Sequence, residues 1–382
     1  MVNVSCSTKF HAFALAEQLE KNQMLKTLYS VYHERKNPLL SRLNKRHDPE
    51  VIPLSNIHTF PQLSPLFKFR KDHFANNNLF DRLVSKNLSR DNDYKAFIGW
   101  SGMSYQSLME VKKNAKLAIL ERGSCHISFQ FELLTEEYNS LGLTFRGDSR
   151  VEQKEIVEYE LADFITVPSK FAKRSFLERG FPPNKIFVNN FGVSSFFFPK
   201  APKNKKFTIL YVGALTVQKG LIHLFKALHL LKWSLSDYEV WFIGQSSSEL
   251  NQFITSYKRS NWIFFGHTAH HELADKISRC SVMVHPSIQE GLSMVIPQVM
   301  SCGVPVIATT NTGGEDIIEN GVNGFIVPIR SPELIANRLQ QLYEDQDALK
   351  KMQREALNHV AKYSSWDQYG SRYAEFIKSR IS

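Results

Sequence analysis

The segment HPSIQEGLSMVIPQVMSCGVPVIA, residues 285–308, decides how the rest of the chain is read. It contains a strand end, a tight loop, a short helix, a glycine stop and a second apolar run. Pro297 lacks an N–H and so fits an early helical turn, and Gly303 fits the helix end. One carboxylate, Glu290, stands before Gly291 in the loop, and Gln298 interrupts the apolar helix eight positions later. A loop that opens a helix aims backbone N–H groups at an anion. Glu290 repels phosphate, so its chemistry must differ. A carboxylate accepts hydrogen bonds from hydroxyls, which suits a sugar ring. The Gln298 amide also bonds hydroxyls, more weakly, since charge-assisted bonds are roughly twice as strong.

Outward from this segment, strands alternate with helices. CSVMVHPS (280–287) and VPVIAT (304–309) flank the segment as strands, GFIVPI (324–329) follows, and KFTILYVGAL (206–215), YEVWFIG (238–244) and WIFFGH (262–267) precede it. Helices are expected at 221–232 and 249–258. A break at 189–206, with Gly192, Pro199, Pro202 and a basic run, reads as a linker. Before it, strands at 1–5, 24–32, 94–100 and 115–121 alternate with helices, one of them at 11–20, and 151–181 runs helix, strand, helix with Ser169 as an N-cap. This alternation predicts an α/β protein with two parallel sheets. The domains fall at 1–190 and 191–364, and the last segment, 365–382, forms an aromatic-rich helix.

The turn VGALTVQKG (212–220) follows a strand and opens a helix. Gly213 permits close backbone approach, and Lys219 at the helix start suits a phosphate. Open α/β sheets bind ligands along this strand edge. The chain has 382 residues with 43% hydrophobic and 22% charged content, ordinary globular values. No apolar run is long enough to span a bilayer, the N-terminus does not read as a signal peptide, and Cys6, Cys125, Cys280 and Cys302 fit no metal spacing. Reduced thiols and a cytoplasmic location follow as expectations. The net charge of +10 is concentrated at the front, where residues 1–90 carry 14 Lys and Arg against 7 Asp and Glu. HERKNPLLSRLNKRH (33–47) and LFKFRKDHF (66–74) interleave basic residues with Leu and Phe. Such a face would rest peripherally on an anionic membrane, at roughly 1 kcal/mol per basic residue near the surface. No nucleic-acid-binding motif accompanies the charge. Asp91-Asn92-Asp93 is ordinary turn chemistry, and no metal is expected there.

The segment E-G-L-S-M-V-I-P-Q-V-M-S-C-G-V-P-V resembles the Glu, seven residues, Glu signature of the retaining glycosyltransferases of family 4. HPS before it, GALTVQKG, TGGEDIIENGVNGFIVP (312–328), ELADFITVPS (160–169) and NNFGVSSFFFP (189–199) resemble further motifs of that family. The resemblance covers most of residues 150–330. It implies a GT-B fold, two Rossmann-like domains facing across a cleft, with the C-terminal helix returning to the first. It also implies a nucleotide-diphosphate sugar donor, with no further cofactor, and a glycan or lipid-linked saccharide acceptor on the first domain. Gly213 and Lys219 would then cradle the diphosphate. Glu290 would grip the donor sugar, near the amides of Gly291, Leu292 and Ser293. Gln298 would hold the ribose, and Gly266, His267 and Thr268 would pack the base. Arg122 or His126, in LERGSCH (120–126), would stabilise the leaving phosphate from across the cleft.

The chain departs from the family pattern in three places. Gln298 replaces the second Glu, Ala214 replaces an Arg, and SCSTKFH (5–11) stands where a glycine-rich loop is usual. Those departures leave two other readings open. One is a degenerate GT-B subunit that binds sugar nucleotide or a partner without turnover. The other is a sugar-nucleotide epimerase. A dehydrogenase is disfavoured, since no G-x-G-x-x-G follows a strand.

Overall fold

The computed structural model describes residues 1–37, 51–363 and 365–381. Two parallel sheets form. The first contains β1 (Val2–Ser5), β2 (Leu25–Ser30), β3 (Ile57–Thr59), β4 (Ala96–Trp100), β5 (Leu117–Glu121), β6 (Phe164–Val167) and β7 (Ile186–Val188), in the order β3-β2-β1-β4-β5-β6-β7. The second contains β8 (Phe207–Val212), β9 (Tyr238–Ile243), β10 (Trp262–Gly266), β11 (Val282–His285), β12 (Val306–Thr309) and β13 (Gly324–Val327), in the order β10-β9-β8-β11-β12-β13. Central strands such as FTILYV of β8 are buried throughout, as a sheet covered on both faces requires.

The first sheet carries α1 (Ala12–Lys21), α2 (Ser64–Phe69), α3 (His73–Leu88), α4 (Tyr105–Lys113), α5 (Ile127–Ser140), α6 (Ser149–Leu161) and α7 (Lys170–Leu177). The second carries α8 (Leu221–Leu230), α9 (Asn251–Tyr257), α10 (His270–Ser278), α11 (Val295–Met300), α12 (Pro332–Glu344) and α13 (Gln346–Tyr363). Ser169 caps α7 as expected, its Oγ accepting from Ala172 N at 3.0 Å. Between the sheets, residues 189–206 carry only an isolated bridge from Val193 to Ser365.

The last helix, α14 (Trp366–Ile381), packs on the first lobe against α1. Gly370 makes this approach close: a Cβ there would lie 2.5 Å from Gln18 Cβ. Tyr373 Oη donates to Glu121 Oε2 at 3.0 Å and pairs with Thr166 Oγ1 at 2.9 Å.

Helix α5 is absent from the sequence reading, and it bridges the lobes. Glu137 on α5 is buried against the second lobe. His223 Nε2 lies 2.8 Å from its Oε1, and Arg330 Nε donates to its Oε2 at 2.7 Å. Burial raises the Glu137 pKa, but His223 and Arg330 outweigh it and hold the carboxyl below its ordinary range. Tyr138 Oη donates to Glu249 Oε2 at 2.9 Å.

Candidate functional site

In the second sheet, the strand order reverses between β8 and β11, which are neighbours. Loops leaving that switch point form a crevice at the carboxyl ends of the strands. Lys219 lies on the loop after β8 and Glu290 on the loop after β11, so topology brings together two residues 71 positions apart. The loops are joined along their length. Ile288 N and Ser287 Oγ donate to Gln218 O at 2.9 and 3.2 Å. Gly220 has φ +67°, and a Cβ there would sit 1.9 Å from Pro286 O. Only glycine permits this contact.

The Glu290 carboxylate pairs with Lys219 Nζ, accepts from Ser287 Oγ at 3.1 Å and lies 3.5 Å from His285 Nε2. Burial alone would raise the Glu290 pKa, but the Lys219 charge and His285 overcome it and hold the group at about 2. Glu290 is therefore an anion throughout the neutral range. It accepts hydrogen bonds and is a poor general base, since a base works best with a pKa near the working pH.

Further residues named from the sequence lie on the second lobe. Gly213 has φ +146° and donates its N–H to Ile243 O at 2.9 Å, and its carbonyl lies against Gly244. Gln298 is half-buried on α11. Gly266 ends β10 with φ +65° and open space where a Cβ would be, His267 is exposed, and Thr268 is half-buried. Besides Ile288 N, two more of the loop amides are already used: Glu290 N donates to Asn311 O at 2.9 Å and Ser293 N to Thr312 O at 3.0 Å. The Ser293 amide is thus committed to its own domain, contrary to the expectation that it faces the donor.

Arg122 and His126 also lie differently from the expectation. Arg122 is buried and makes an ion pair with Glu155 at 3.0 Å. Its Nε donates to Cys125 O at 2.9 Å and its Nη2 to Gln130 Oε1 at 2.9 Å. His126 caps α5 through Nδ1 and packs against Tyr159, Phe176 and Phe181. Burial, then the charges of Arg179 and Arg122, push its pKa down to about 4. These named partners all belong to the first lobe. What crosses the gap instead is the backbone between them: Gly123 O would lie 2.1 Å from a Cβ on Gly291.

Sequence reasoning missed His285, Ser287, Gln218 and Gln289. His285 stands in the HPS motif, at the carboxyl end of β11, and that placement was the available signal. Nothing in the local pattern marked Gln289. The 91–93 turn is structural: Asp91 accepts from Asn3, Lys26 and Asp93 N. Among the described residues no three His, Cys, Asp or Glu side chains cluster as a metal site, and no helix is long and apolar enough to cross a membrane. Of the basic segments, residues 38–47 lie outside the described residues. In the other, Phe69 at the end of α2 is 75% exposed beside Lys68, Arg70 and Lys71.

Residues 193–359 match the model of the glycosyl transferases group 1. The group 1 match thus covers the crevice and both of its charged loops. CapM, the capsular polysaccharide biosynthesis glycosyltransferase of Staphylococcus aureus, is 27% identical over 186 residues, 46% of this chain and 48% of CapM. The matched stretch spans about half the length of the first curated relatives. Sucrose-phosphate synthase from Thermosynechococcus elongatus superposes with a TM-score of 0.75 at 17% identity, over 100% of this chain and 98% of that one. HepE from Anabaena, solved with UDP and glucose, gives a TM-score of 0.69 at 15% identity, over 99% of each chain. The architecture is GT-B.

Proposed function

We propose that the protein is a retaining glycosyltransferase that moves a sugar from a nucleotide-diphosphate donor to a glycan or lipid-linked saccharide, in surface polysaccharide or glycolipid synthesis. The observation that carries this reading is the Lys219–Glu290 pair at the β8/β11 switch point, on a loop whose next residue, Gly291, meets Gly123 of the first lobe. A diphosphate sugar offers each partner a better one. Its phosphates take Lys219 and the backbone around Gly213, and its sugar hydroxyls donate to the ionised Glu290. Gln298 takes the ribose hydroxyls, and the 266–268 strand end takes the base. The amides of Gly291 and Leu292 supply donors near the sugar. That HepE was solved with UDP and glucose supports a donor of this class.

In the transfer step the bond from sugar C1 to the diphosphate oxygen breaks and a bond from C1 to the acceptor oxygen forms. The acceptor proton passes to the departing diphosphate oxygen on the same face. No protein base is required, which agrees with a carboxylate held at about 2. The protein positions the reactants and neutralises the phosphate charge. Lys219 supplies that charge, so transfer is expected to persist in the presence of a chelator.

The acceptor meets the first lobe, and the Phe69 region places that lobe on anionic lipid. Sedimentation with phosphatidylglycerol vesicles is expected at low salt and is lost at high salt. Retention in the supernatant at low salt would remove the membrane part of the reading. The donor part is tested by thermal protection across a panel of sugar nucleotides, then by product formation with a saccharide acceptor. Protection without product would indicate a binding subunit, and donor conversion without acceptor an epimerase.

A further inference from the structure

Gln289 is completely buried, yet it is a polar side chain next to the site's carboxylate. Its Nε2 donates to Ser124 Oγ of the first lobe at 2.7 Å and to Glu290 O at 2.8 Å, with Cys125 Sγ at 3.1 Å. Its Oε1 accepts from Gln218 Nε2 at 3.1 Å, one residue before Lys219. A single amide thus joins the loop of Lys219, the loop of Glu290 and the first-lobe loop 122–126. An amide suits this place because it both donates and accepts. The backbone beside it also brings the lobes together: Gly291 lets the second lobe meet Gly123 without a Cβ between them.

We propose that Gln289 is a positioning residue that links closure of the two lobes to the geometry of Lys219 and Glu290. When the lobes part, its bond to Ser124 is lost, and the loops carrying the charged pair lose their cross-lobe restraint. When the lobes meet, the amide sets both loops at once. The charged pair then has its working arrangement only with the acceptor-bearing lobe in place, which protects an activated sugar from water until an acceptor can be engaged. The catalytic part of this proposal rests on the transfer reading above, whereas the structural part does not.

The test uses hydrogen exchange and steady-state kinetics on the full chain. In Gln289→Leu, amide exchange across residues 122–126 is expected to rise at least about tenfold, because the bonds from the second lobe to Ser124 and Cys125 are gone. Transfer kcat is expected to fall about tenfold, while the KM for the donor changes less than about threefold. Ser124→Ala removes one of the two first-lobe partners and leaves Cys125 Sγ, so it moves both readouts the same way by only about threefold. The double variant is expected to be no worse than Gln289→Leu alone, the mark of a shared interaction. Unchanged exchange at 122–126 in Gln289→Leu, or fully additive effects in the double variant, overturns the proposal. If Gln289→Leu does not fold, unchanged exchange in Ser124→Ala does the same. A wild-type protein that binds UDP but transfers no sugar would defeat the functional reading, and the exchange result would still decide the role of Gln289.

Discussion

The two lobes share one topology and use it in opposite ways. Each has a switch point, between β1 and β4 in the first and between β8 and β11 in the second. In the second lobe the two loops meet through charge, and the Lys219–Glu290 pair is partly exposed. In the first lobe the corresponding loops turn their polar groups inward. Ser7 N and Oγ donate to Met103 Sδ at 3.3 and 3.2 Å, and Glu158 accepts from Gly102 N and Ser104 N from beneath. Burial raises the Glu158 pKa to about 8, the opposite of Glu290. Desolvation pushes both carboxylates upward, and the strength of the adjacent cations decides the sign. Lys154 lies 3.8 Å from Glu158, whereas Lys219 is in direct contact with Glu290. At the switch points the second lobe thus keeps a charged pair partly open, and the first keeps Glu158 buried.

Glycines give the sharpest contrast. Gly220→Ala is expected to cost about 4 kcal/mol, since it combines a left-handed backbone with a Cβ driven into Pro286 O. Gly142→Ala in the first lobe has φ +69° but meets nothing within 4 Å, so about 1 kcal/mol is expected. Equal losses in urea melts would break the contrast. Next come the charges: Glu290→Ala should lower transfer about a hundredfold and Lys219→Ala at least tenfold, the scale of one lost electrostatic contact in a reacting site. Wild-type rates in both would remove the site assignment.

His126 tests the inward-facing lobe. Its folded pKa lies below its unfolded value, so between about 6.5 and 4 the unfolded chain binds a proton that the folded chain does not. Stability is therefore complete above that window and falls as pH drops through it, by about 2 kcal/mol at pH 5. His126→Phe should flatten this slope without changing the transfer pH profile, and an altered transfer profile would place His126 back in the chemistry. The smallest effect is expected from Gln298→Glu, which supplies a stronger acceptor for a ribose hydroxyl and should tighten nucleotide binding about fivefold. Weaker binding would show that the amide contacts something else.

Much of the second lobe was legible in the sequence because its signals are local. Buried parallel strands read as apolar runs, and Gly213, Lys219, Glu290 and Gly303 mark loops and ends within a few residues of them. What was not legible depends on distant partners. The contact of Lys219 with Glu290 follows from strand order. Arg122 was placed in the right loop, but its ion pair with Glu155 turns it inward, and no local pattern shows that. Helix α5 escaped because its polar Glu137 and Tyr138 face a second lobe instead of water. Gln289 escaped for the same reason, as a buried amide whose partners come from three loops.

The most direct measurement is a crystal structure with the sugar nucleotide that gives the largest thermal protection. The account predicts the diphosphate beside Lys219 and the Gly213 backbone, with sugar hydroxyls bonded to Glu290 and the first-lobe loop 122–126 closed over them. A donor bound on the first sheet, or in the crevice with Lys219 and Glu290 still paired to each other, would contradict it.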